Sequence, residues 1–210
     1  MKRKLLWFLV VMAVLAGIAC ATRTKLSNVW RSESYPSGKM HRILVIGVAA
    51  NEANRRSFED AFVAALAAQN VDAVPSYQLL PGSERLSRAS IEDAIRGRGF
   101  QGVLVTRLIA VDSEETYVPP TTYVRPGYYG GGMYGYYGTS WDIVHQPGYT
   151  VTKTTVRLET HLYDAPTAEL VWAAHSETFD PSSTKDVIDS VTKKLSSRLA
   201  EDGMLSGAAQ

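Results

Sequence analysis

Apolar residues in this chain fall into runs of different period. Residues 42–50 (RILVIGVAA) and 102–111 (GVLVTRLIAV) are continuous apolar stretches with many β-branched side chains. Such runs predict strands covered on both faces, in a sheet with parallel neighbours. Between them the period becomes helical. Phe58, Ala61, Phe62, Ala65 and Leu66 fall on one face of a helix that reaches about residue 69, with Asn51 or Asn54 as its cap. On this reading Arg55, Arg56, Glu59 and Asp60 lie mainly off the apolar face. Residues 71–77 predict a short strand near a sheet edge, because Pro75 cannot donate to a ladder. Pro81, Gly82 and Ser83 form a turn. Residues 87–98 predict a second helix, opened by Ser87 or Ser90, with Ile91, Ala94 and Ile95 inward and Gly97 and Gly99 at its end. Strands joined through helices of this length imply right-handed crossovers in a mostly parallel arrangement.

From residue 150 the period is two. Val156, Leu158, Thr160 and Leu162 point one way; Arg157, Glu159, His161 and Tyr163 point the other. A turn at 164–168 leads to a partner strand at 169–179, giving an antiparallel hairpin with one wet face. Placing Asp164 opposite Leu170 sets Leu162 against Trp172, Arg157 against Glu177, Glu159 against His175 and His161 against Ala173. Complementary charges favour this register. Ser183 followed by Asp186 resembles a capping box for a last helix, with Val187, Ile188, Val191, Leu195 and Leu199 inward and Gly203 as its stop. The tail after it is expected to be weakly structured. The predicted class is α/β (α+β mixed), a three-layer-like domain around a mixed sheet of about five strands, in the order β-α-β-α-β-(long loop)-β-β-α.

Composition changes this picture at two places. Residues 117–149 hold eight of the eleven tyrosines, seven of the sixteen glycines and Trp141. That density of glycine opposes regular structure, so the segment reads as a long loop or a flexible β-extension inserted in the fold. Exposed aromatic rings there, at Tyr128, Tyr129, Tyr134, Tyr136, Tyr137 and Trp141, are candidates for stacking on a sugar or anchoring a partner protein. The bland alternative is a tolerated surface loop.

The second place is the start. Lys2, Arg3 and Lys4 precede an uncharged run at 5–19, which is short for a membrane span. The run ends in small residues, and Cys20, the one cysteine of the chain, comes directly after it. A basic start, a short apolar run and small residues before a break make a secretory signal peptide at 1–20. The cysteine at its end resembles the lipobox of bacterial lipoproteins, in which that residue is diacylated and becomes the mature N-terminus. Ile18 and Ala19 suit this pattern; Gly17 stands where leucine is usual. Cleavage after Ala21, releasing a soluble protein, is the competing reading. By analogy with lipoprotein sorting, Ala21 rather than aspartate after the cysteine implies the outer membrane, with the domain facing the periplasm. Residues 21–40 are then a tether and N-terminal extension, with Val29, Trp30 and Tyr35 capping the core of an α/β domain at 41–205. Residues 206–210 form a flexible tail.

Charge excludes one class of partner. Of 22 Lys and Arg, three lie in the signal, leaving 19 against 21 Asp and Glu. That balance offers no basic excess for nucleic acid. With Cys20 lipidated, no thiol remains for a disulfide, a metal or a nucleophile. Residues 45–56 have the strand–loop–helix context of a phosphate site, but Gly47 stands alone there and no nucleotide is expected. No GxSxG or HExxH occurs. The carboxylate pairs Glu59/Asp60 and Glu114/Glu115 are sequence neighbours that cannot face each other across a substrate. His41 and His145 lie in connecting segments. His161 and His175 share the wet hairpin face with Glu159 and Glu177, and are read as a solvated polar face without a metal.

The segments VWRSESY (29–35), RILVIGVAANEANRRSFEDAF (42–62), DAVPSYQLLP (72–81), GVLVTRL (102–108) and LETHLYDAPTAELVWAAHSETF (158–179), with the closing helix, resemble a group of small proteobacterial envelope lipoproteins of unknown function. The order of elements is similar to the TolB amino-terminal domain. The resemblance implies a fold and a location, and no catalytic residues or cofactor. The sequence therefore predicts a membrane-anchored, non-catalytic binding or assembly module whose partner is an envelope protein or peptidoglycan. A periplasmic hydrolase with an unrecognised site, or a subunit that self-assembles through sheet edges, are the alternatives.

Overall fold

The computed structural model describes residues 23–36, 40–80, 86–124 and 143–206. Along the chain these form β1 (Arg23–Arg31), β2 (Arg42–Val48), α1 (Glu52–Ala67), β3 (Asp72–Pro75), a 3-10 turn (Ser76–Gln78), α2 (Arg88–Ile95), β4 (Gly102–Val118), β5 (Thr121–Val124), β6 (Ile143–Gln146), β7 (Tyr149–Asp164), β8 (Leu170–Phe179) and α3 (Thr184–Glu201). Six strands make a mixed sheet in the order β1-β8-β7-β4-β2-β3, and β5 pairs with β6 in a separate ribbon. The α/β class is as the periodicity implies. The main sheet has six strands rather than about five.

The extra strand is the first correction. Residues 21–40 were expected to be a tether and N-terminal extension, yet Arg23–Arg31 within them forms β1 and pairs antiparallel with β8. Its side chains alternate between exposed and half-buried. Thr24 turns inward, where its hydroxyl meets Thr178 at 2.9 Å and Ser190 at 2.6 Å. A polar edge strand carries little of the apolar signal by which strands are recognised. Of the residues expected to cap the core, Val29 and Tyr35 pack against it and Trp30 remains 47% exposed.

The central part follows the hydrophobic pattern closely. β2 pairs in parallel with both β3 and β4, and β3, with Pro75, lies at the sheet edge. The hairpin β7–β8 has the expected register at Arg157↔Glu177, Glu159↔His175, His161↔Ala173 and Leu162↔Trp172. It departs at the turn, where an irregularity after Leu162 sets Tyr163, not Asp164, opposite Leu170. Asn51 caps α1 by accepting from the Ala53 and Asn54 amides, Ser87 caps α2, and Ser183 caps α3 through the Asp186 amide. Gly97 and Gly99 turn the chain after α2 with φ of 69° and 73°, a conformation that favours glycine.

Two cores result. The larger one includes Ile43, Val45, Phe62, Leu66, Leu104, Leu162 and Trp172 together with Val187, Val191, Leu195 and Leu199 of α3. The smaller one holds Leu44, Ile46, Phe100 and Val103, with Ile91 and Ile95 of α2 packed against it. The tail after Gly203 is not loose at its start: Met204 and Leu205 are fully buried, and Leu205 bridges Met40. The chain divides into two compact units, Met1–Val111 with Thr155–Gln210, and Asp112–Thr154. In the second unit the Tyr117 ring lies against Gly148, where a Cβ would collide with it. No helix among the described residues is long and apolar enough to cross a membrane.

Candidate functional site

A groove of about 610 Å³ opens in the first unit at the C-terminal end of β2 and beside the middle of β4. β4 and β7 contribute Thr106, Leu108, Val111, Val156 and Leu158. The loop after β2 and the start of α1 contribute Val48–Asn51, Asn54, Arg55 and Phe58. The approach to α3 and its first turn contribute Pro181, Ser183, Thr184, Val187 and Ile188. Val48, Leu108 and Val111 keep about half of their surface in water. Large aliphatic side chains left open together are unusual on a surface and make the groove a candidate binding site.

Several polar side chains along the groove already have partners within the protein. The Thr106 hydroxyl bonds Thr160 at 2.9 Å. The Asn51 carbonyl accepts the Ala53 and Asn54 amides at 2.9 and 3.1 Å. The Ser183 hydroxyl accepts the Asp186 amide at 3.1 Å. Arg55, the charged side chain of the lining, is 4% exposed and is turned away toward a buried network.

That network is the second correction, since Arg55 and Glu59 were expected mainly off the apolar face of α1. They are buried along with Phe58 and Phe62, and Glu59 is completely enclosed. One oxygen of Glu59 accepts from the Gly47 amide at 2.9 Å, the Arg55 Nε at 3.1 Å and the Ser76 hydroxyl at 2.7 Å; the other accepts the Tyr77 amide at 3.1 Å. Arg55 also donates to Ser76 and to the Leu80 carbonyl, and pairs with Glu52 at 3.3 Å. A buried charge persists only when paired and hydrogen-bonded, and this pair is. It ties α1 to the end of β2 and to the turn after β3. The sequence did carry a signal: 55, 58, 59, 62 and 66 form one helical stripe, and its two charged members are opposite in sign and four apart.

On the other sheet face, Glu159 gathers one guanidinium and two imidazoles. Arg107 Nε lies 2.6 Å from one carboxylate oxygen, and the Nε2 atoms of His161 and His175 lie 3.4 and 3.3 Å from the other. His161 is further held by Tyr163 at 3.0 Å and His175 by Asn28 at 3.2 Å. Asn28 reaches His175 from an irregular step in β1, with φ of 50°. Partial burial raises the Glu159 pKa, but the Arg107 hydrogen bond, the His161 charge and the His175 hydrogen bond outweigh it, so the carboxyl titrates below its ordinary value. With Arg107 on one oxygen, this is an ion-pair cluster; among the described residues no group of three His, Cys, Asp or Glu is arranged as a metal cage.

Of the residues singled out in the sequence, Cys20, Tyr128, Tyr129, Tyr134, Tyr136, Tyr137 and Trp141 lie outside the described residues. The groove was missed. Its mark in the sequence is the apolar run Leu108, Ile109, Val111, which continues in β4 beyond the part that the helices cover.

No known protein family matches this chain, and no curated protein is similar to it in sequence. Among solved structures it is similar to the PelC dodecamer from Paraburkholderia phytofirmans, with 15% identity over 84% of this chain and 97% of that one and a TM-score of 0.46. It is also similar to lipoprotein GNA1162 from Neisseria meningitidis, with 12% identity over 76% of this chain and 98% of that one and a TM-score of 0.40. At these levels the likeness transfers no function.

Proposed function

We propose that this chain is an outer-membrane lipoprotein, anchored through Cys20 and facing the periplasm. Its TolB amino-terminal-like α/β domain serves as a non-catalytic binding or assembly module. The anchor reading rests on the signal at 1–20 with the chain's one cysteine at its end. The binding reading rests on the groove, an open and largely apolar site in which the Thr106 and Ser183 hydroxyls and the Asn51 side-chain oxygen are already bonded within the protein. An envelope protein or peptidoglycan is the proposed partner of the Tyr/Gly-rich segment, through Tyr128, Tyr129, Tyr134, Tyr136, Tyr137 and Trp141. Intact-mass analysis of the membrane fraction is expected to give a chain starting at Cys20 with a diacylglyceryl or triacyl addition. A soluble protein starting at Thr22 would end the anchor reading. Density-gradient fractionation should place the protein with outer-membrane markers; co-migration with the inner membrane would refute the sorting.

A further inference from the structure

We infer that the groove is a binding site for a long acyl chain, and that the chain it holds is the one carried on the protein's own Cys20. This rests on the acylation proposed above.

The chemistry of the lining selects the ligand class. Leu108, Val156, Leu158, Phe58, Val187 and Ile188 form an apolar trough. A sugar, nucleotide or peptide needs free donors, acceptors or a counter-charge. Here the Thr106 and Ser183 hydroxyls and the Asn51 carbonyl are already bonded within the protein, and the Arg55 guanidinium is spent on Glu59, Glu52 and Ser76. An unbranched hydrocarbon asks for none of these. It would also cover Val48, Leu108 and Val111, which otherwise stand in water.

The start of β1 selects the source. Arg23 and Thr155 both pair with Phe179, so they flank β8 at one end of the sheet. They are two strand spacings apart, about 10 Å. Val156 follows Thr155 into the groove, and Pro181 and Ser183 enter it just after Phe179. Cys20 precedes Arg23 by three residues, an extended reach of about 10 Å. A chain attached at Cys20 therefore begins within reach of the groove mouth. Sheltered there, the anchor would be hidden from water while the protein crosses the periplasm.

The test uses the full-length protein made in cells fed palmitate bearing a terminal diazirine. After irradiation, cross-linked peptides are identified by mass spectrometry, and intact mass is read on the same sample. The expected result is a fatty chain on Cys20 cross-linked within the same molecule to peptides containing Leu108, Leu158 or Val187. Mixing isotopically heavy and light cells before extraction, and repeating the irradiation, separates attachment within one molecule from attachment between two. Leu108→Lys, which places a charge at an already half-exposed position, should keep the acyl mass and the circular dichroism spectrum and lose the groove label. Cross-links only to phospholipid, to another copy, or outside the groove would overturn the inference while leaving the anchor reading intact. Absence of acyl mass on Cys20 would instead remove the anchor reading on which it stands.

Discussion

Glu59 joins four donors from three parts of the chain, and with Arg55 it ties Gly47, Ser76 and Tyr77 to the helix that carries it. Removing its carboxylate leaves Arg55 buried with half of its compensation gone. Breaking a buried pair by deleting one partner costs about 3–5 kcal/mol. Glu59→Ala should therefore lower stability by that order in urea unfolding, and a loss below 1 kcal/mol, within the range of surface substitutions, would show that the network contributes little. A second residue gives a dependence on pH. Tyr35 donates its hydroxyl to Asp164 at 3.0 Å. Burial, that hydrogen bond and the carboxylate's charge push its pKa from 10.0 up to about 12. The fold thus favours the protonated phenol. Its contribution is intact below 10.0 and is lost as pH rises toward 12. Paired unfolding curves should show the wild-type chain losing stability relative to Tyr35→Phe across that window. A constant difference would mean that Tyr35 titrates like a free tyrosine.

Elements were legible where apolar periodicity was strong. The hairpin register could be read because cross-strand charges Arg157 with Glu177 and Glu159 with His175 agreed with the burial of Leu162 and Trp172. The helix caps were legible because Asn51, Ser87 and Ser183 are side chains that compete for backbone amides. β1 was not legible: its partners are 154 residues away in sequence at Thr178, and its own pattern is polar. The groove escaped for a related reason, since a groove is defined by which helix ends stop short of which strands. The closing residues illustrate the same limit. Met204 and Leu205 follow a helix-stopping glycine with φ of 69° and look like tail, yet both sit in the core beside Met40. Truncating a buried leucine costs about 2–5 kcal/mol. Leu205→Ala should accordingly shift the urea midpoint downward by that order, and an unchanged midpoint would return these residues to the tail.

At the scale of the molecule, every residue of both hydrophobic cores belongs to the unit formed by Met1–Val111 and Thr155–Gln210. Among the described residues the second unit, Asp112–Thr154, contributes none of them, and it contains the whole of the Tyr/Gly-rich segment. If the first unit folds on its own core, the length of the insertion matters only through chain entropy. That term is small, about 0.6 kcal/mol for each doubling of loop length. Replacing residues 120–146 with a short Gly/Ser turn keeps β4 and β7 whole and should leave the melting temperature nearly unchanged. The same variant separates fold from recognition. If the rings of Tyr128, Tyr129, Tyr134, Tyr136, Tyr137 and Trp141 contact an envelope partner, in-cell cross-linking should lose that partner while the melting curve stays where it was. Failure of the shortened protein to fold would assign the tyrosines to a core. Folding with the full set of cross-linked partners retained would move partner recognition onto the first unit, where the apolar groove and the Arg107–Glu159 cluster are candidate surfaces for it.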